Sequence, residues 1–183
     1  MTITEPAPPA TDPRSRFPWR ILLGIVVALF AAFWVWALFF ASKEAINKID
    51  DRDWAARAEA ICADAKVRRE ALADYRRVDE NHVAMMVERG NLVDAATDVV
   101  EQMLDDVVAV PPTDDKGAAI VPDWEADYRT YLQNRRDYAD VLRTGRNAPF
   151  TEAAVDGIPI SDKVERFAGD NEMPSCAPPT DLS

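Results

Sequence analysis

The chain is poor in the groups from which most active sites are assembled. It has one histidine, His82, among 183 residues, and that residue sits near Glu80 with no cysteine or second histidine close by. A zinc site needs several such ligands together, so His82 reads as a structural or exposed histidine, and no metal or cofactor is expected. Six glycines leave no Walker loop and no dinucleotide fingerprint. The serines are Ser15, Ser42, Ser161, Ser175 and Ser183, none inside a Gly-x-Ser-x-Gly elbow, so nucleophilic catalysis has no visible base and nucleophile pair. The two cysteines, Cys62 and Cys176, form no Cys-x-x-Cys pair of the kind redox catalysts use. No segment sustains apolar–polar alternation, which excludes an extensive sheet. These absences point away from an enzyme.

What the chain does have is one uncharged block, "ILLGIVVALFAAFWVWALFFA", from Ile21 to Ala41. At ~1.5 Å per residue it extends about 31 Å as a helix, matching the ~30 Å hydrocarbon core of a bilayer. Signal-peptide apolar regions run only ~7–15 residues and end in small side chains. This block is longer, and its far end carries Trp34, Trp36, Phe39 and Phe40. A retained anchor is therefore the expectation over a cleaved signal. Arg14, Arg16 and Arg20 precede it without an intervening acid, whereas Lys43, Lys48 and Arg52 beyond it are mixed with Glu44, Asp50, Asp51 and Asp53. The three arginines closest to the membrane predict a cytoplasmic N-terminus, with Trp19 and Trp34/Trp36 as interfacial anchors. Residues 43–183 would then lie outside the membrane, where 18 basic side chains face 30 acidic ones. So acidic a segment is a poor partner for nucleic acid or anionic lipid, and solubility is the simpler reading of its charge.

The layout expected is a Pro-rich disordered tail over 1–18, a transmembrane helix over 19–42, a helical domain over 43–176 and a flexible tail over 177–183. The fold class is all-α, with three main helices and short C-terminal helical pieces after the membrane helix. The membrane helix is able to continue into a first outer helix, whose apolar stripe is Trp54, Ala58, Ile61, Ala65, Leu72 and Tyr75, with Cys62 at its edge. "VDENHVAMMVERG" reads as a connector ending at Gly90. Asn91 then caps a second helix, with Asp94 completing a capping box and Leu92, Ala96, Val99, Val100, Met103 and Val107 on its inner face. Pro111-Pro112 stop it. Asp123 is the expected cap of a third helix, in which Trp124, Tyr128, Tyr131, Arg135, Tyr138 and Leu142 fall at spacings 4, 3, 4, 3, 4. Gly145 ends that helix. A short helical piece at Glu152–Val155 and a helix capped by Ser161 follow.

On the outer side of a bacterial-type membrane, or in any secretory space, disulfides persist, and an even count of two is most simply one bridge, Cys62–Cys176. Two buried thiols or a bond to another chain are the alternatives. Asp94, Asp98, Glu101 and Asp105 recur at spacings 4, 3, 4, which reads as a solvated helix face more readily than as a calcium site. Arg135, Arg136, Arg143 and Arg146 are the densest basic group and the one speculative ligand or partner surface, with an Arg136–Asp140 pair within the helix as the simpler account of part of it.

The stretches "AEAICADA", "PDWEADYRTYLQNRRDYADVLRTG" and "FTEAAVDGIPISDKVERFAGDNEMPSCAPP", with a cysteine in each outer segment, resemble small single-pass membrane proteins of actinobacteria. The resemblance covers most of residues 50–179. It implies a helical extracytoplasmic domain with a cysteine pair and implies no activity. The expected role is an accessory or interaction protein of the bacterial cell envelope, anchored in the lipid bilayer through Ile21–Ala41, with a protein partner. The alternative is a small-molecule-binding or sensory module holding its ligand near Trp124, Tyr128 and Tyr131.

Overall fold

A computed structural model describes residues 17–39, 45–74, 76 and 82–181. Arg14, Arg16, most of the Pro-rich tail, residues 40–44 and Tyr75 lie outside the described residues. The chain divides into two compact units, one ending at Glu44 and one beginning at Ala45.

The first unit contains helix α1, Phe17–Phe39. The last two residues of the expected tail thus belong to the helix. Pro18 suits its first turn, where a missing amide costs no internal hydrogen bond. Within α1, Trp19–Phe39 is long and apolar enough to cross a membrane, and none of it is buried.

The second unit is helical and built around one main core. Its elements are α2 (Arg52–Glu70), α3 (Val83–Val108), α4 (Asp115–Arg143), a two-strand hairpin of β1 (Ala154–Val155) and β2 (Ile158–Pro159), α5 (Ile160–Asp170), and a 3-10 turn at Pro174–Cys176. Helix α3 packs on α4, α2 on α3, and α5 on α4, while the 3-10 turn lies on α2. The expected inner faces are largely the observed ones. Trp54, Ala58, Cys62 and Ala65 on α2 are buried, and so are Ala96, Val100, Met103 and Val107 on α3. At ~1.5–3 kcal/mol for each large apolar side chain, these faces supply most of the drive to associate. Small residues on α2 allow its backbone to approach the core closely, and full burial goes to Cys62 rather than to Ile61.

Four expected boundaries are corrected. First, α2 starts afresh. Asp51 caps it, its carboxylate accepting from the Trp54 amide at 2.8 Å, and it ends at Glu70, so Leu72 lies beyond it. Second, α3 begins at Val83 and runs straight through Gly90 and Asn91. Gly90 is not a stop but a contact: a Cβ there would stand 2.8 Å from the Ala139 carbonyl oxygen. Third, α4 begins at Asp115, not after Asp123. Asp114 accepts from the Gly117 amide at 2.7 Å, and Pro122 is carried within the helix. Proline there removes one helical hydrogen bond, and burial of Val121 and Trp124 beside it offsets the loss. Fourth, Glu152–Val155 is not helical. Asp156 and Gly157 both have positive φ, 54° and 79°, and form the two-residue turn of the hairpin. Two-residue strands are too short to alternate visibly.

Gly145 does end α4, at φ 79°. Ser161 is not a cap; α5 starts one residue earlier, and Ser161 donates from its amide and hydroxyl to Glu152, both at 2.8 Å.

The caps of α2 and α4 are tied together. The Asp51 carboxylate also accepts from the Thr113 amide and hydroxyl at 2.8 and 2.7 Å, while the Asp51 amide donates to Asp114 at 3.1 Å. The Thr113 hydroxyl, followed by the Thr113 and Trp54 amides, lowers the Asp51 pKa to about 2. Val110 closes the same corner, its carbonyl accepting from the Trp54 indole at 2.8 Å and from Arg57 at 2.7 Å.

Candidate functional site

The expected bridge forms: Cys62 on α2 and Cys176 in the 3-10 turn are joined, and both are fully buried. It fixes the root of the last described segment, residues 177–181. That segment was expected to be a free tail, but it lies on α4. The Tyr131 hydroxyl donates to the Pro179 carbonyl at 2.7 Å, and the Tyr128 hydroxyl stands 3.5 Å from the Ala177 carbonyl. Asp181 then reaches Arg135.

Arg135 is the one fully buried arginine among the described residues. Its guanidinium donates to both Asp181 carboxylate oxygens, at 2.7 and 3.1 Å, and its Nε donates to the Thr97 hydroxyl at 3.0 Å. Thr97 is also buried and donates to the Val93 carbonyl at 2.7 Å, so the receptor for Asp181 is itself held rigidly. Arg69 on α2 approaches the same carboxylate at 3.9 Å. Burial opposes ionisation of Asp181, but Arg135 outweighs it and the Asp181 pKa falls below its ordinary value. Removing Asp181 would strand the Arg135 charge in a dry setting.

The four expected arginines do not form one surface. Arg135 faces the interior. Arg136 and Arg143 face α3: Arg136 pairs with Asp98 and Glu101, and Arg143 with Asp94 and Asp140. Arg129 continues the row by pairing with Asp105 and Glu125. The acidic stripe Asp94, Asp98, Glu101, Asp105 is solvated as expected, and it also forms one side of an antiparallel ladder between α3 and α4. Arg136 reaches across to α3 instead of pairing with Asp140. Arg146 stands apart, exposed, its Nε 3.3 Å from the Thr144 hydroxyl. Reading each helix separately finds both charged stripes but not that they face each other.

The aromatic stripe of α4 is core. Trp124 stacks on Phe167 at 5.1 Å between centroids and meets Tyr128 edge-on at 5.6 Å, and Tyr128 meets Tyr131 at 6.3 Å. Burial pushes both tyrosine phenols up in pKa. Their rings fill the space the alternative reading reserved for a ligand.

A cleft of about 490 Å³ opens elsewhere, between the end of α2, the first half of α3 and residues 180–181. Its wall carries Arg69, Leu72, Arg89, Leu92, Val93 and Asp181. Nothing in the sequence marks it, since its parts come from three distant segments. Among the described residues no group of three or more His, Cys, Asp or Glu side chains is placed to hold a metal. His82 is the N-cap residue of α3 and is exposed.

No protein-family model, no curated protein and no solved structure matches the chain.

Proposed function

We propose that this chain is a single-pass protein of the bacterial cell envelope, anchored in the lipid bilayer through Ile21–Ala41, with its N-terminus cytoplasmic and its helical domain extracytoplasmic. There it serves as an accessory protein that binds a protein partner. The observation that carries the reading is the pairing of two features in one chain. One is a 21-residue apolar segment, Trp19–Phe39, with no buried residue; the other is a disulfide closing the helical unit from α2 to its last turn. Disulfides persist in oxidising compartments and are rare in the cytosol, so the two features together favour a domain displayed on the outer side.

The packed aromatic core supports the interaction reading over a sensor with its ligand at Trp124, Tyr128 and Tyr131. The large apolar side chains exposed in the helical unit, Ile46, Val67, Val83, Val110 and Val155, belong to five different segments. Partner recognition is accordingly assigned to polar and acidic surface rather than to an apolar patch. No catalytic step is assigned. The test is cross-linking in intact cells followed by purification from membranes. The full chain should capture a defined protein that a control anchor, residues 1–44 fused to an unrelated domain, does not. Identical captures by the two would defeat the proposal.

A further inference from the structure

The pairing of Arg135 with Asp181 has a feature that ordinary structural ion pairs lack. The cation belongs to a helix, and the anion belongs to the non-helical segment that follows the disulfide. Arg135 sits about two-thirds of the way along α4 with no exposed surface and is braced by Thr97. Asp181 sits five residues beyond the last covalent anchor, Cys176, on a segment whose carbonyls also face the Tyr128 and Tyr131 hydroxyls of α4. A buried guanidinium requires an anion at all times, and a bidentate fork selects a carboxylate geometry. Here the chain's own end supplies it.

The Asp181 carboxylate also forms part of the wall of the 490 Å³ cleft, a volume within the ~300–1,000 Å³ range of small-molecule sites. Arg69 lines the cleft and has Asp181 as its carboxylate partner only at 3.9 Å. Arg89 lines it too and acts electrostatically on the Asp74 carboxylate. Leu72, Leu92 and Val93 give the same wall an apolar stretch. Among the described residues the other acids there are Glu70 and Asp74, and Asp74 is engaged by Arg76 at 2.7 Å.

We propose that this cleft binds a small carboxylic acid with an apolar body, and that Asp181 is the internal occupant of its carboxylate subsite. The incoming carboxylate replaces Asp181 at Arg135 and Arg69, and the apolar body covers Leu72, Leu92 and Val93. The exchange swaps one carboxylate for another, so Arg135 is never left unpaired and no covalent bond changes. The site lies in the helical unit and does not depend on which side of a membrane that unit occupies.

The experiment is calorimetric titration of the full chain in nanodiscs with 4-phenylbutanoate, using empty nanodiscs as reference and 4-phenylbutanamide as the uncharged control. Saturable binding of the acid and not of the amide is expected. Asp181→Asn should bind the acid about tenfold more tightly, because a tethered competitor present most of the time lowers apparent affinity by the fraction of time the site is free. Leu72→Trp, which fills the cleft without touching the ion pair, should abolish binding and leave the helical circular dichroism intact. Absence of saturable binding to the wild type, equal binding of acid and amide, or unchanged binding by Leu72→Trp would each overturn the proposal. Should Asp181→Asn fail to fold, the wild type, the amide and Leu72→Trp decide it.

Discussion

Replacing both cysteines, Cys62→Ala with Cys176→Ala, tests the covalent closure of the helical unit. The bridge joins residues 114 apart in sequence. In the chain-entropy description a loop of that size restrains the unfolded chain by about 4–5 kcal/mol. A typical domain has only ~5–15 kcal/mol in all, so the loss would be a large part of the total. Both sulfurs are fully buried, and their removal leaves small voids that add to the cost. The bridge also roots the segment that brings Asp181 to Arg135, so the buried ion pair weakens with it. Equilibrium urea unfolding of the full chain in nanodiscs, followed by far-ultraviolet circular dichroism, gives the readout. With a slope of ~2 kcal/mol per molar urea, the midpoint should fall by about 2 M. A shift below about 0.5 M would refute the reasoning, since it would mean that the loop is not restraining the unfolded ensemble.

Further outcomes follow from individual contacts. Gly90→Ala should destabilise the helical unit in spite of a helix-propensity gain of ~1 kcal/mol, because overpacking costs ~1–3 kcal/mol and the added methyl would lie 2.8 Å from the Ala139 carbonyl oxygen; thermal melting would read it. Arg136→Gln removes an exposed part of the ladder and should cost under ~1 kcal/mol, shrinking further in high salt. The Asp51 carboxyl has a folded pKa of about 2 against an ordinary 3.8. Its stabilisation is complete above the unfolded value and is lost as pH falls through the folded one, and Asp181, also lowered, acts with the same sign. Stability should therefore drop as pH falls from about 4 towards 2, and Asp51→Asn should flatten part of that dependence in acid unfolding curves. Non-reducing mass spectrometry of protein from native membranes should find neither thiol free.

Much of the fold was legible from spacing alone. The apolar stripes of α2, α3 and α4 and the stop at Gly145 are local signals, and local signals survive folding. Three of the errors share one physical origin. Gly90 resembles a helix stop until Ala139 is placed against it. Asp123 resembles a cap until Asp114 is seen to share its cap with Asp51 across 63 residues of chain. The acidic row on α3 is solvated, but its pairing is invisible until α4 supplies its arginines in the opposite direction. Each is decided by a partner distant in sequence. Arg135 was visible only as one member of the α4 stripe and of a basic group, and its partner, Asp181, lay in a segment whose composition read as a flexible end. The cleft was invisible for the same reason, since no one of its three contributing segments carries a motif.

We propose that the helical domain stands on the outer side of a membrane while the N-terminus stays inside. The most direct test is proteolysis of intact cells expressing the full chain, with one epitope before Met1 and another joined after Ser183 through a cleavable linker. The account predicts that added protease removes the C-terminal epitope while the N-terminal one survives until the cells are lysed. Protection of the C-terminal epitope in intact cells, with loss only after lysis, would contradict it.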